Sequence, residues 1–103
     1  MKNQELISLI EAEWDLDDGF FGKLRNGHFD HIAYQRCKQS LERVQREVGK
    51  SETISRRLVS LIWYIPLFMT WQADRIGHET NSCTYEDVSN EIQSIVQAIL
   101  WVP

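Results

Sequence analysis

The sequence of 103 residues has few of the residues that mark specialised chains: two prolines, five glycines and two cysteines. With 43% apolar residues beside so little proline and glycine, collagen-like, low-complexity and disordered classes are excluded. Two cysteines are too few for a disulfide scaffold, and nothing resembling a signal peptide precedes the first predicted helix. We therefore expect one globular domain, residues 1–103, in the cytoplasm.

Long apolar runs and catalytic motifs are also missing. The longest weakly polar run, residues 58–71, has 14 residues, whereas a helix needs about 20 to cross a bilayer. No nucleophile elbow, glycine-rich phosphate loop or zinc-ligand spacing is present. We therefore expect no catalytic residues, no cofactor, no metal and no membrane association, and the function must be sought on the surface.

Apolar residues spaced by three and four recur along the chain and predict an all-α, single-domain bundle of about five helices. The first helix is predicted over residues 4–15, and a short second one ends at Asn26 and Gly27. Asp30 is the predicted N-cap of a third helix. This helix should end at Gly49, where we expect a left-handed backbone.

Proline interrupts the fourth predicted helix, which begins at a cap on Ser51. Because proline removes a helical hydrogen bond and crowds the preceding turn, we expect a kink or break near Pro66. The alternative is a buried strand over residues 59–68, where β-branched and aromatic residues are enriched. A fifth helix follows a capping box formed by Thr84 and Asp87.

Several side chains that are capable of chemistry are explained by packing or by solvent exposure. The most apolar helix carries an aromatic series for which we predict core packing: Trp63, Tyr64, Phe68 and Trp71. The alternative for Trp71 is a place at the rim of the core, where its ring could take part in binding. Cys37 lies in the apolar stripe of the third helix and should be buried and unreactive, whereas Cys83 follows a polar stretch. His28 and His31 could share a metal ion, but a third ligand is missing.

The net charge of −4 is unevenly distributed. Residues 1–18 carry one positive and six negative charges, residues 19–57 nine and four, and residues 58–103 one and five. Clustered carboxylates repel one another unless solvent or a basic partner stabilises them, so the acidic block is a candidate protein-binding site. The residues predicted to bind the partner are Glu11, Glu13, Trp14, Asp15, Asp17, Asp18 and Phe21.

A basic stripe on the third helix supports a different interpretation. Its members lie on the face opposite the apolar stripe: Arg36, Arg43, Arg46 and Lys50. Such a stripe is usually a solvated face, but it could also contact phosphates. The alternative function is therefore a small nucleic-acid-associated regulator, although the acidic chain as a whole argues against a nucleic-acid partner.

Four segments carry a family resemblance: WDLDDGFF at 14–21, KLRNGHFD at 23–30, LIWYIPLFM at 61–69 and ILWVP at 99–103. They resemble segments of small bacterial immunity-type proteins that are associated with polymorphic toxins. The resemblance implies a non-enzymatic cytoplasmic protein that binds and neutralises a cognate toxin. No toxin class and no oligomeric state follow from it.

Overall fold

Every regular element in the described residues, 2–76 and 82–101, is an α-helix in the computed structural model. The helices are α1 (Lys2–Glu13), α2 (Phe20–Arg25), α3 (His31–Val48), α4 (Arg56–Ile62), α5 (Ile65–Ile76) and α6 (Ser82–Leu100). Because α4 and α5 are the two halves of the helix expected to break near Pro66, the predicted all-α bundle of about five helices is confirmed. The alternative strand over residues 59–68 is wrong.

Local sequence explains where several helices begin. Asp30 caps α3, since its side chain accepts hydrogen bonds from the backbone N–H groups of Ile32 and Ala33. Pro66 is the second residue of α5, a position where the helix needs no N–H donor. The chain therefore breaks before the proline, and the short turn at residues 63–64 separates the two helices.

The predicted end of α3 at Gly49 is confirmed, but the backbone conformation expected there and two predicted helix starts are wrong. Ser55 caps α4 in place of Ser51, because its hydroxyl accepts from the N–H of Leu58. Gly49 keeps a right-handed backbone, with φ −62° and ψ −20°, since its N–H continues the α3 pattern by donating to the carbonyl of Gln45. Helix α6 already includes Ser82, so Thr84 lies inside the helix and does not begin it. The side chain of Thr84 lies outside the described part of the chain.

The helices pack in the spatial order α4, α1, α3, α6 and α5, with α2 in contact with α1, α3 and α5. All six contribute to one cluster of buried apolar residues, in which Phe20, Phe21 and Phe68 are the largest fully buried side chains. Cys37 is also fully buried, as predicted. The side chain of Cys83 lies outside the described residues.

Polar contacts join neighbouring helices around this core. The hydroxyl of Tyr34 and the ammonium of Lys38, both on α3, donate to the carboxylate of Glu91 on α6. The hydroxyl of Tyr85 donates to the carbonyl of Met69 over 2.6 Å and so connects α6 to α5. These contacts fix α3 and α5 on either side of α6.

Candidate functional site

Residues 14–19, which we call the acidic turn, connect α1 to α2 in a fixed conformation. The carboxylate of Asp15 accepts hydrogen bonds from the N–H groups of Asp17 (3.1 Å) and Asp18 (2.9 Å). The turn also lies directly on α2, because a Cβ atom added at Gly22 would be 1.8 Å from the carbonyl oxygen of Asp15. Only glycine permits this contact. The acidic turn is therefore pre-organised.

The acidic residues predicted to bind a partner differ in their availability. Asp17 and Asp18 are exposed, and within the part of the chain that the structure describes their carboxylates have no ion-pair partner. Glu11, in contrast, accepts from the guanidinium of Arg57 at the surface. Leu16 stands exposed between the aspartates. The tip of the acidic turn thus presents free negative charge beside an apolar side chain.

Two residues of the predicted binding set are internal. Glu13 is only 1% exposed, and its carboxylate accepts from the N–H of Phe20 (3.1 Å) and from two nitrogens of Arg36 (2.8 and 2.9 Å). Phe21 is fully buried. The assignment of Glu13 and Phe21 to a partner surface is wrong, because Glu13 is paired with Arg36 and Phe21 is enclosed with Trp14 and Phe68 in the core. Glu13 instead holds the end of α1 to α3.

Trp14 joins the acidic turn to the helices beside it. Its indole N–H donates to the carbonyl of Leu61 over 2.9 Å, and its ring packs against Phe21 at a centroid distance of 4.6 Å. The same ring stacks on Tyr64 at 6.1 Å. Trp14 is half-buried. It is therefore shared between the core and the surface.

An apolar ridge, defined as Trp63, Leu67 and Trp71, extends from the turn before α5 along the outer face of that helix. The two tryptophans are 53% and 61% exposed. The prediction of core packing is therefore wrong for Trp63, whereas Trp71 takes the alternative position outside the core. Core packing is confirmed for Phe68, which is 2% exposed. The face of α5 that contains Phe68 and Met69 packs against the core, and the ridge lies on a different, exposed face. Large aromatic side chains in such an exposed cluster are typical of protein interfaces.

A small cleft lies where the acidic turn meets the ridge. It has a volume of about 190 Å³ and is lined by Trp14, Arg25, Ser60, Leu61 and Tyr64. The guanidinium of Arg25 lies over the rings of Trp14 (5.9 Å) and Phe68 (5.3 Å). Tyr64 then contacts both tryptophans of the ridge, at 5.6 and 5.8 Å between centroids. The acidic turn, the cleft and the apolar ridge are thus one continuous surface.

The basic stripe is largely engaged within the molecule. Arg36 pairs with Glu13 and also donates to the carbonyl of Asp18. The guanidinium of Arg43 donates to two carboxylates, and its hydrogen bonds, first to Glu5 and then to Glu47, raise its pKa. The other two residues of the stripe are Arg46 and Lys50. Together with Glu42, they line an open groove of about 710 Å³ between α3 and α6. Two of the four basic residues of the stripe are therefore paired with carboxylates of the same chain.

Comparison with family models, with curated proteins and with solved structures finds no match for this chain. Within residues 2–76 and 82–101, no group of three or more His, Cys, Asp or Glu side chains could hold a metal ion. None of the helices in these ranges has the length and apolar character that a bilayer span requires. The described surface combines a charged part, the acidic turn, with an apolar part, the ridge.

The exposure of the apolar ridge was not evident from the sequence because residues 65–69, the first part of α5, are all apolar. A signal was nevertheless present, since Thr70 and Asp74 are polar and lie on the same face of α5 as Leu67 and Trp71. Both polar residues are exposed. Polar neighbours at spacings of three and four indicate that a face is solvated even when it contains tryptophan.

Proposed function

We propose that this protein is a non-enzymatic protein-binding module, specifically an immunity-type inhibitor that neutralises a cognate bacterial toxin in the cytoplasm. The observation that carries the proposal is the continuity of the exposed acidic turn with the exposed apolar ridge. The resemblance of residues 14–21 and 61–69 to immunity-type proteins supports it independently, because both segments form part of this surface.

The two parts of the surface would contribute differently to binding. Tryptophan and tyrosine side chains account for a large share of binding energy in protein interfaces, often about 2 kcal/mol or more for each anchor. Exposed carboxylates mainly raise the association rate by attracting a basic partner. The apolar ridge would therefore determine how long the complex lasts, and the acidic turn how fast it forms.

A nucleic-acid-associated regulator is the weaker proposal. It would rely on the basic stripe, whose Arg36 and Arg43 are paired with carboxylates. Arg46 and Lys50 remain, but Glu42 lines the same groove. Phosphate binding needs several positive charges that are free to replace counterions, so this surface offers little affinity.

Co-expression tests the proposal. A candidate toxin encoded directly beside the gene is expressed in a bacterial host with and without this protein, and growth and complex formation are measured. We expect growth to be restored and the two proteins to co-elute. The matched variants are Trp71→Ala, in the apolar ridge, and Ile32→Ala, an apolar residue that is 80% exposed on α3. Loss of rescue by the Ile32 variant alone would contradict the proposed surface.

A further inference from the structure

We propose that the surface formed by the acidic turn and the apolar ridge binds an amphipathic, positively charged α-helix of the partner protein. This inference rests on the proposed function, because it specifies the chemistry of the partner at the same site. Three properties of the surface support it: the spacing of the ridge, the ring contacts that join the ridge to the start of the acidic turn, and the cleft between them.

The spacing of the apolar ridge favours a helical partner. Leu67 and Trp71 are four residues apart on α5, with Trp63 in the turn that precedes this helix, and residues four apart form the ridges that fit between the side chains of a second helix. An extended peptide would instead need a strand edge to which it could add. No strand is present in residues 2–76 or 82–101.

The position of the acidic turn requires positive charge on that helix. Ring centroids step from Trp14 to Tyr64 over 6.1 Å and from Tyr64 to Trp71 over 5.8 Å, so the ring of Trp14, the first residue of the acidic turn, lies at most about 12 Å from that of Trp71. An α-helix covers this distance in about eight residues, or roughly two turns. The partner helix would therefore carry Lys or Arg at the end that reaches past Trp14 towards Asp17 and Asp18.

The cleft between the two parts suits an apolar side chain of the same helix. Its walls include the rings of Trp14 and Tyr64, whereas the guanidinium of Arg25 disfavours a second cation inside it. A volume of about 190 Å³ has room for one large side chain. A leucine or phenylalanine between the apolar and basic ends of the partner helix would fill the cleft.

Two other occupants fit this surface less well. A second copy of the chain would bring a further acidic turn to the interface, and the net charge of −4 opposes self-association. A membrane surface rich in anionic lipid would be repelled by Asp17 and Asp18, both of which are exposed. Charge complementarity therefore selects a cationic protein segment.

Binding of synthetic helical peptides to the full chain tests the inference. The first peptide has 18 residues, with leucine on one face and lysine on the other. A second has the same composition in a scrambled order, and a third has glutamate in place of lysine. We expect the first to bind at least about tenfold more tightly than the other two, as measured by fluorescence anisotropy of the labelled peptide at 0.1 M salt. Equal binding of the scrambled or glutamate peptide would overturn the inference.

Variants of the protein then locate the binding surface. Trp63→Ala combined with Trp71→Ala should weaken the lysine peptide at least about tenfold, and Leu67→Gln alone by about threefold or more. The Leu67 variant is also a safeguard if the double variant does not fold. Asp17→Asn combined with Asp18→Asn should weaken binding by about threefold and reduce its salt dependence.

A matched control separates this surface from acidity in general. Glu86→Gln combined with Asp87→Asn removes two exposed carboxylates from α6 and should change the affinity by less than about twofold. An equal loss in this control, or unchanged binding by the ridge variants, would contradict the inference. Ridge-dependent dimerisation in sedimentation measurements, or ridge-dependent binding to phosphatidylglycerol vesicles without peptide binding, would assign the surface to the other occupants.

The two proposals fail differently. If the parent protein neutralises its toxin but the ridge variants do so equally well, the helical partner is wrong and the inhibitor function stands. If the peptide results hold but no neighbouring toxin is neutralised, the surface is a helix-binding site and the immunity function is wrong.

Discussion

We predict how much the ion pair between the buried carboxylate of Glu13 and the half-exposed guanidinium of Arg36 contributes to stability. Glu13→Ala removes both hydrogen bonds from the guanidinium, at 2.8 and 2.9 Å, and leaves the buried N–H of Phe20 without its acceptor. Charge-assisted hydrogen bonds contribute about 1.5–3 kcal/mol each, and an unpaired buried N–H costs about 1–3 kcal/mol. Arg36 is 49% exposed and can return to water, which reduces the total to about 3 kcal/mol.

Chemical and thermal unfolding, followed by circular dichroism, measure this loss. For a domain of this size, about 3 kcal/mol corresponds to a decrease in Tm of roughly 10–20 °C. Glu11→Ala is the matched control, because it removes a carboxylate from the same helix whose pair with Arg57 is exposed. We expect a loss of less than about 1 kcal/mol for the control.

A double-mutant cycle with Arg36→Ala isolates the pair itself. A coupling energy of about 2 kcal/mol is expected, since the two side chains share both hydrogen bonds. The reasoning is refuted if Glu13→Ala and Glu11→Ala lose equal stability. The same conclusion follows if Glu13→Ala slows partner association without any change in Tm, because that result would return Glu13 to the binding surface.

Three further predictions concern single features of the fold. Cys37 should react with a thiol reagent only after denaturation, because burial raises the pKa of its thiol and blocks access; fast labelling of the native protein at this residue would contradict the α3 register. The hydrogen bond from Lys23, with those from the α3 backbone, lowers the pKa of Asp30 from 3.8 to about 2, so its contribution to stability is complete above pH 4 and is lost as the pH falls towards 2. Thermal unfolding of Asp30→Asn should accordingly depend less on pH in that range than the parent does. Phe68→Ala should cost about 3–5 kcal/mol in urea unfolding, whereas Trp71→Ala should cost less than about 1 kcal/mol because it is exposed; similar losses would mean that the ridge is packed.

Helical periodicity predicted the fold class because it reflects burial within each helix. Asp30 and Pro66 act through their own backbone neighbours, so their effects could be read locally. Gly49 could not, because a right-handed end at this position depends on how the chain leaves α3 rather than on the glycine itself. The choice between Ser51 and Ser55 as the cap of α4 likewise depends on the path of the loop between α3 and α4, which determines where helical geometry can begin.

The candidate site depended on contacts between distant residues, which periodicity does not contain. Glu13 belongs to the densest acidic block of the sequence, but its carboxylate is buried. Its partner there is Arg36, which lies 23 positions away in the sequence. The same ion pair neutralises Arg36 of the basic stripe. One contact therefore reduces the free charge of both the predicted acidic surface and the predicted basic surface. The exposure of Trp63 was not predicted for another reason, since the continuous apolar run over residues 61–69 does not indicate which side chains meet the core.

We propose that the acidic turn and the apolar ridge together bind a basic protein partner. The most direct test measures association rate and Kd for a neutralised toxin at 0.1 M and 0.5 M salt, using three variants of this protein. The first replaces Asp15, Asp17 and Asp18 by asparagine, the second replaces both ridge tryptophans by alanine, and the third replaces the two free stripe residues, at positions 46 and 50, by glutamine.

Association of the parent should slow at the higher salt concentration, because the Debye length falls from about 10 Å at 0.1 M to about 3 Å at 1 M. We expect asparagine at the three acidic positions to slow association at 0.1 M and to weaken this salt dependence, because the screened charges are removed. Asparagine can still accept the hydrogen bonds within the turn, so Tm should be unchanged or slightly higher. The tryptophan variant should dissociate at least about tenfold faster. A toxin that binds these two variants as it binds the parent, but loses the glutamine variant, would contradict the account, and nucleic acid retained through purification would assign function to the basic stripe.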